Sequence, residues 1–274
     1  MSHQDLLAAM TNRDADPVNV EPSFAGQICC ISTHLPNRVL FLNCPGQLYS
    51  FLHSAIRTGY RLGIQKEQGQ QALTLNGMPF LAPGPGEIFG PQIHCAIIRC
   101  MINCGWELVC GSSISLRVTD VHSMFFQKAP MTNDTATAEV CALSFVEHNT
   151  VRLIDAPVEL VELMKMILES HWLRGEKGAV KFSVQNGVPQ FIMKGRLFDG
   201  AANVDLLATR ALLAQVISKI KIEGYNIITA CPTRVTNAGM RPQELDTWII
   251  GCPKSRGVTE TRDKPREVQE VFRD

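Results

Sequence analysis

Val39-Leu-Phe-Leu-Asn-Cys-Pro45 recurs as Val151-Arg-Leu-Ile-Asp-Ala-Pro157, at an offset of 112 residues. The helix pattern that follows keeps the offset. Leu48, Phe51, Leu52, Ala55 and Ile56 form an i, i+3, i+4, i+7, i+8 stripe, and Leu160, Leu163, Met164, Ile167 and Leu168 repeat it residue for residue. Tyr60 with Gly63 then matches Trp172 with Gly175. Further along, with insertions, Gly77 and Phe80 answer to Gly195 and Phe198, Gly105-Trp106 to Gly224-Tyr225, and His122-Ser-Met-Phe-Phe126 to Asp246-Thr-Trp-Ile-Ile250. Self-similarity at this period marks a duplicated module of domain size.

Each copy reads β-β-α-β-α-β-β. In the first, strands are expected over 27–33 and 38–43, a helix over 46–60, a strand over 71–75, a helix over 91–104, and strands over 107–112 and 123–127. In the second, strands are expected over 139–147 and 151–155, a helix over 158–171, and a longer strand pair over 180–184 and 190–193 split by Asn186-Gly187, a hairpin signal. A helix over 204–223 and strands over 226–230 and 247–251 close the unit. Gly105 and Gly224 stand where helices end on a left-handed residue. Strands with one-sided apolar helices give an α+β two-layer sandwich, a mixed sheet with helices on one face. Two such copies are expected to pack as a pseudo-dimer. The implied organisation is a loose N-terminal segment over 1–24, module 1 over 25–130, a polar linker over 131–138, module 2 over 139–253 and a charged tail over 254–274.

Asn43-Cys-Pro45, Gly63-Ile-Gln-Lys-Glu67, Leu75-Asn-Gly-Met-Pro-Phe80 and Gly105-Trp-Glu-Leu-Val-Cys-Gly-Ser-Ser-Ile-Ser115 resemble a module common in uncharacterised fungal proteins. Its pattern runs roughly Asn-Phe-Pro, Gly-Ile-Gln, Gly-Asn-Pro-Trp, Gly-Trp-x-Leu, Ser-x-Asp-x-Ser and a closing Asp-Thr-x-Phe-Phe. The resemblance covers both copies and implies the architecture, with no established activity. Pro79-Phe80 and Leu197-Phe198 stand in place of Pro-Trp, and Ser113 or Thr233 in place of the aspartate. A site that depended on that aspartate would be lost here.

Composition narrows the function classes. The 274 residues carry 26 Lys+Arg against 26 Asp+Glu, 45% hydrophobic and 7% aromatic residues. Zero net charge supplies no long-range field toward nucleic acid or anionic membrane, so nucleic-acid binding is disfavoured and the expected partner is another protein. No run reaches the length of a membrane span. Ten cysteines, with no basic and apolar leader over 1–24, are expected to be reduced thiols of a cytoplasmic or nuclear protein.

The positions kept between the copies are Pro, Gly, aromatic and aliphatic, which are turn, cap and core residues. The one matched polar pair, Asn43 and Asp155, reads as a turn or helix N-cap signal. His94, Cys95, Cys100 and Cys104 share a helix but lack zinc spacing, so no metal and no cofactor is expected. Cys110 or Cys231 with His94, His122 or His148 would make a nucleophile and base only if the fold joined them. Gly84-Pro-Gly86 lacks the Lys-Ser/Thr of a phosphate loop. The binding candidates lie after the first helix of each copy: Tyr60, Arg61, Gln65 and Lys66 in one, Trp172, Arg174 and Lys177 in the other. Each group sets an aromatic beside Arg and Lys, a pairing able to hold an anion or stack a planar ligand, or else one in which the aromatic anchors the helix end in the core and the charges sit in water. The sequence therefore points to a non-catalytic binding or scaffold protein. The alternative is an enzyme with one asymmetric site in the inter-module cleft, built from Cys and His unique to one copy.

Overall fold

Alternation along the first strand shows how a module closes: Cys29, Ile31 and Thr33 are buried, whereas Ile28, Cys30, Ser32 and His34 are partly or fully exposed. The computed structural model describes residues 28–81, 86–115, 119–129, 138–172, 176–198, 203–235 and 243–252. Module 1 runs β1 (Ile28–His34), β2 (Arg38–Leu42), α1 (Gly46–Gly59), β3 (Ile64–Gln68), β4 (Ala72–Leu75), α2 (Gly86–Asn103), β5 (Trp106–Ser112) and β6 (Asp120–Lys128). Module 2 repeats it as β7 (Val140–Val146), β8 (Thr150–Ile154), α3 (Val158–His171), β9 (Val180–Gln185), β10 (Val188–Met193), α4 (Asn203–Ile222), β11 (Asn226–Val235) and β12 (Gln243–Gly251). The sheet orders, β3-β4-β2-β1-β6-β5 and β9-β10-β8-β7-β12-β11, correspond strand for strand.

Three features differ from the sequence reading. Every described strand pair is antiparallel, so neither sheet is mixed. Module 1 has an additional strand, β3, whose Ile-Gln-Lys-Glu-Gln sequence is almost wholly exposed and carries no apolar alternation. Pairing with β4 holds it in place. Helix α2 starts at Gly86, with Pro91 inside it, rather than at Pro91. Proline has no N–H for the carbonyl four residues earlier, which makes it read as a first-turn residue.

The matched pair Asn43 and Asp155 is a turn signal but not a cap. Both residues have φ +54°, a left-handed conformation that Asn and Asp tolerate better than other side chains. The N-cap positions are Pro45 and Pro157, neither of which makes a side-chain cap bond. Gly105 and Gly224 adopt the expected positive φ, +74° and +87°, and Asn186-Gly187 forms the hairpin turn with φ +54° and +78°.

The modules stack in one direction. Helices α1 and α2 cover one face of the first sheet, with Leu52 and Ile56 fully buried, each worth about 1.5–3 kcal/mol of apolar transfer. The other side of α2 lies across β7, and the apolar core of module 1 continues into Val140, Ala142, Ile154 and Ile249 of the second sheet. The opposite face of that sheet, including Cys141, Leu143, Val151 and Ile250, packs on α3 and α4. Strands β7 and β8 are therefore buried at every position. The layers run sheet, helices, sheet, helices.

The two matching helices suit their different places. Among the described side chains from Glu87 to Met101 of α2, only Gln92 and Arg99 are not buried. The matching α4 puts Ala211, Ala214, Gln215, Ser218 and Lys219 in solvent. Polar ties fasten the contact: Arg99 Nη2 donates to the Val140 carbonyl at 2.5 Å, and Ala138 N donates to Asn103 Oδ1 at 2.8 Å. Arg152 Nη1 pairs with Glu87 Oε2 at 2.6 Å in a buried ion pair. The same guanidinium donates through Nε to Gln190 Oε1 and through Nη2 to Gln185 Oε1, both at 3.0 Å, so each of its three nitrogens has a partner.

Candidate functional site: the inter-module cleft

Beside the buried ion pair the modules part and leave a cleft of about 760 Å³. Module 1 contributes Arg61, just past α1, and the first turns of α2 with Ile88, Phe89 and Gln92. Module 2 contributes the end of β8 with Asp155, the start of α3 with Val158, and the β9–β10 hairpin from Asn186 to Pro189. That hairpin is one of the places where the copies differ in length. Strands of six residues each stand where module 1 has strands of five and four. The volume falls within the roughly 300–1,000 Å³ usual for small-ligand sites.

The candidate binding residues have separate fates. Tyr60 is fully buried; its hydroxyl donates to the Asn76 carbonyl, and burial raises its phenol above the usual value. Trp172 is likewise buried, with Nε1 donating to the Lys194 carbonyl at 3.0 Å. Neither ring lies open to a ligand; both anchor the chain after the first helix. Gln65, Lys66 and Lys177 are exposed and do not line the cleft, and Arg174 lies outside the described residues. Arg61 does line it. The Tyr60 ring packs edge-on against Phe89 with centroids 5.4 Å apart, and the Arg61 guanidinium carbon sits 5.2 Å from the centroid of the same ring. The aromatic thus places the cation indirectly, through a residue on the next helix. Across the cleft, Gln92 Nε2 donates to Asp155 Oδ1 at 3.1 Å.

The sequence did not single out Glu87, Phe89, Gln92, Asp155 as a ligand-facing group, or Arg152. Arg152 stands at the place of Leu40 in the duplication, and a charged residue in a strand matching an apolar one was the available signal.

A second polar group is buried within module 1. His94 on α2 bonds Thr33 Oγ1 through Nε2 at 3.2 Å, stacks on Phe80, and meets His122 of β6 with ring centroids 6.0 Å apart. Both ring nitrogens of His122 and Oδ1 of Asp120 lack hydrogen-bond partners. Space there is tight. A Cβ on Gly111 would come within 2.6 Å of His122 Nε2 and 2.8 Å of Thr229 Oγ1 from module 2. Burial pushes His94 down to about 3, aided by the neighbouring imidazole, and His122 down to about 4 against the opposing pull of Asp120. Among the described residues neither Cys110 nor Cys231 hydrogen-bonds His94 or His122, and burial raises the Cys231 thiol well above its ordinary value. No group of three or more His, Cys, Asp or Glu converges to hold a metal among the described residues.

An uncharacterised domain family matches the chain twice, over residues 27–127 and 139–251, and the chain belongs to that family as a tandem of two copies. No curated protein and no solved structure matches it. Among the described residues no helix is long and apolar enough to cross a membrane.

Proposed function

We propose that the chain is a non-catalytic binding protein in which two fused copies of the module hold a ligand between them. The observation that carries this reading is the cleft: about 760 Å³, apolar over most of its wall, and lined by both modules. Among the described residues its polar side chains are Arg61, Gln92, Asp155 and Asn186, a set that can orient a ligand but contains no thiol, hydroxyl or imidazole to attack one. Stacking holds the two walls in a fixed relation, so the site is formed before the ligand arrives, which lowers the entropic cost of binding.

The test is saturable binding of a neutral apolar dye, Nile red, followed by fluorescence. Val158 lines the cleft and is 53% exposed, so Val158→Trp fills space with little strain on the core. Met166, also exposed on α3, lies outside the lining. One site is expected in the parent chain and in Met166→Trp, lost in Val158→Trp. Absent saturable binding, or equal binding by Val158→Trp, would refute the reading.

A further inference from the structure

We infer that the ligand class of the cleft is an apolar chain ending in a carboxylate, with Arg61 as the residue that binds the anionic end. The inference rests on the cleft being the binding site, and adds the identity of the end group. The cleft walls carry Ile88, Phe89, Val158, Val161, Phe182 and Val188, an apolar surface contributed by four separate elements. At its edge Arg61 is held over Phe89, and Phe89 is held by the buried ring of Tyr60. Among the described residues no carboxylate pairs with Arg61 and no acceptor takes a hydrogen bond from it. Its donors are thus set in place and unspent, and a guanidinium is suited to two parallel bonds to a carboxylate. The one acidic side chain of the lining, Asp155, has Oδ1 committed to Gln92. It is the group that would select a cationic end instead, so the charge of the ligand is the measurable question.

Decanoate, decanol and decylamine share one chain and differ at the end group. Each is titrated against Nile red bound to the whole chain. Decanoate is expected to displace the dye at about tenfold lower concentration than decanol, the scale of one charge-assisted contact. In Arg61→Gln the decanoate advantage should vanish while decanol displaces as before, which shows the fold and cleft intact. Equal displacement by decanoate and decanol, preference for decylamine, or a decanoate advantage that survives in Arg61→Gln would each overturn the inference. In all three cases dye binding persists, so the failure is distinct from failure of the cleft itself.

Discussion

Lowering the pH from 7 to 5 should cost this protein about 4 kcal/mol of stability through two histidines alone. The unfolded chain takes up protons near the ordinary histidine value of about 6.5. The folded chain keeps His94 neutral down to about 3 and His122 down to about 4. Their folded values are depressed, so the unfolded state binds more protons throughout this window, and stability falls as pH falls below about 6.5. At pH 5 the gap from the unfolded value is about 1.5 units, or about 2 kcal/mol for each histidine at 1.36 kcal/mol per unit. That is a large share of the roughly 5–15 kcal/mol available to a domain. The groups facing the pair are Thr33, Phe80, Asp120 and each other, and only Asp120 opposes the shift by attracting a proton to His122. Burial also lowers His34, which adds in the same direction. Urea-unfolding free energies at pH 7 and pH 5 measure the loss, and other titrating groups are removed by comparison with His94→Leu/His122→Gln. Leucine is what the second copy carries at the place of His94, at Leu213. Whatever the variant's stability at pH 7, its loss on acidification should be smaller than the parent's by about 4 kcal/mol. The single variants should each recover about half of it. An equal pH dependence in parent and double variant would refute the reasoning.

The buried Arg152–Glu87 pair makes a sharper double-mutant test. Arg152→Met or Glu87→Met alone should destabilise by about 3–5 kcal/mol because one buried charge is left unmatched, while the combined Arg152→Met/Glu87→Met change should cost much less than the sum. Denaturant midpoints with an unchanged slope report it; additive losses would count against the pair. At Asn43, φ +54°, Asn43→Ala should destabilise by about 1 kcal/mol and Asn43→Gly should be neutral or stabilising, read from thermal midpoints. The opposite order would show that the side chain, not the backbone, sets the residue choice there.

How far the structure was legible in the sequence depends on whether the signal was local. The helices over 46–60 and 158–171 were readable because apolar residues at helical spacing bury one face, Leu48, Leu52 and Ile56 in the first and Leu160, Met164, Ile167 and Leu168 in the second, although Phe51 of the first stripe stays exposed. The Asn186-Gly187 turn and the left-handed Gly105 and Gly224 were readable because backbone sterics act within a few residues. β3 was not, since its exposed polar residues hold a strand only through β4. The same divide runs through the cleft. Arg61 was picked out beside an aromatic, but its partner ring Phe89 lies on α2 and its opposite wall comes from a hairpin about 125 residues further along the chain. Tyr60 and Trp172 could be read from sequence either as anchors of the helix end or as ligand-stacking rings, because sequence carries no record of which way a side chain turns there; the core took both.

What the sequence by itself determined is the duplicated α+β module: strand and helix order, turn residues and the apolar faces that close each copy, all consequences of periodicity and backbone sterics acting over short range. Only the tertiary structure decided how the copies meet. The central strands β7 and β8 of the second sheet are buried on both faces and, Arg152 apart, carry apolar or small residues, and α2 is apolar almost all round, so a sheet and a helix that each need two partners found each other. Pairing of that kind depends on shape across more than a hundred residues of chain. It buries Arg152 against Glu87, parts the modules beside them, and leaves Arg61 at the edge of the space between.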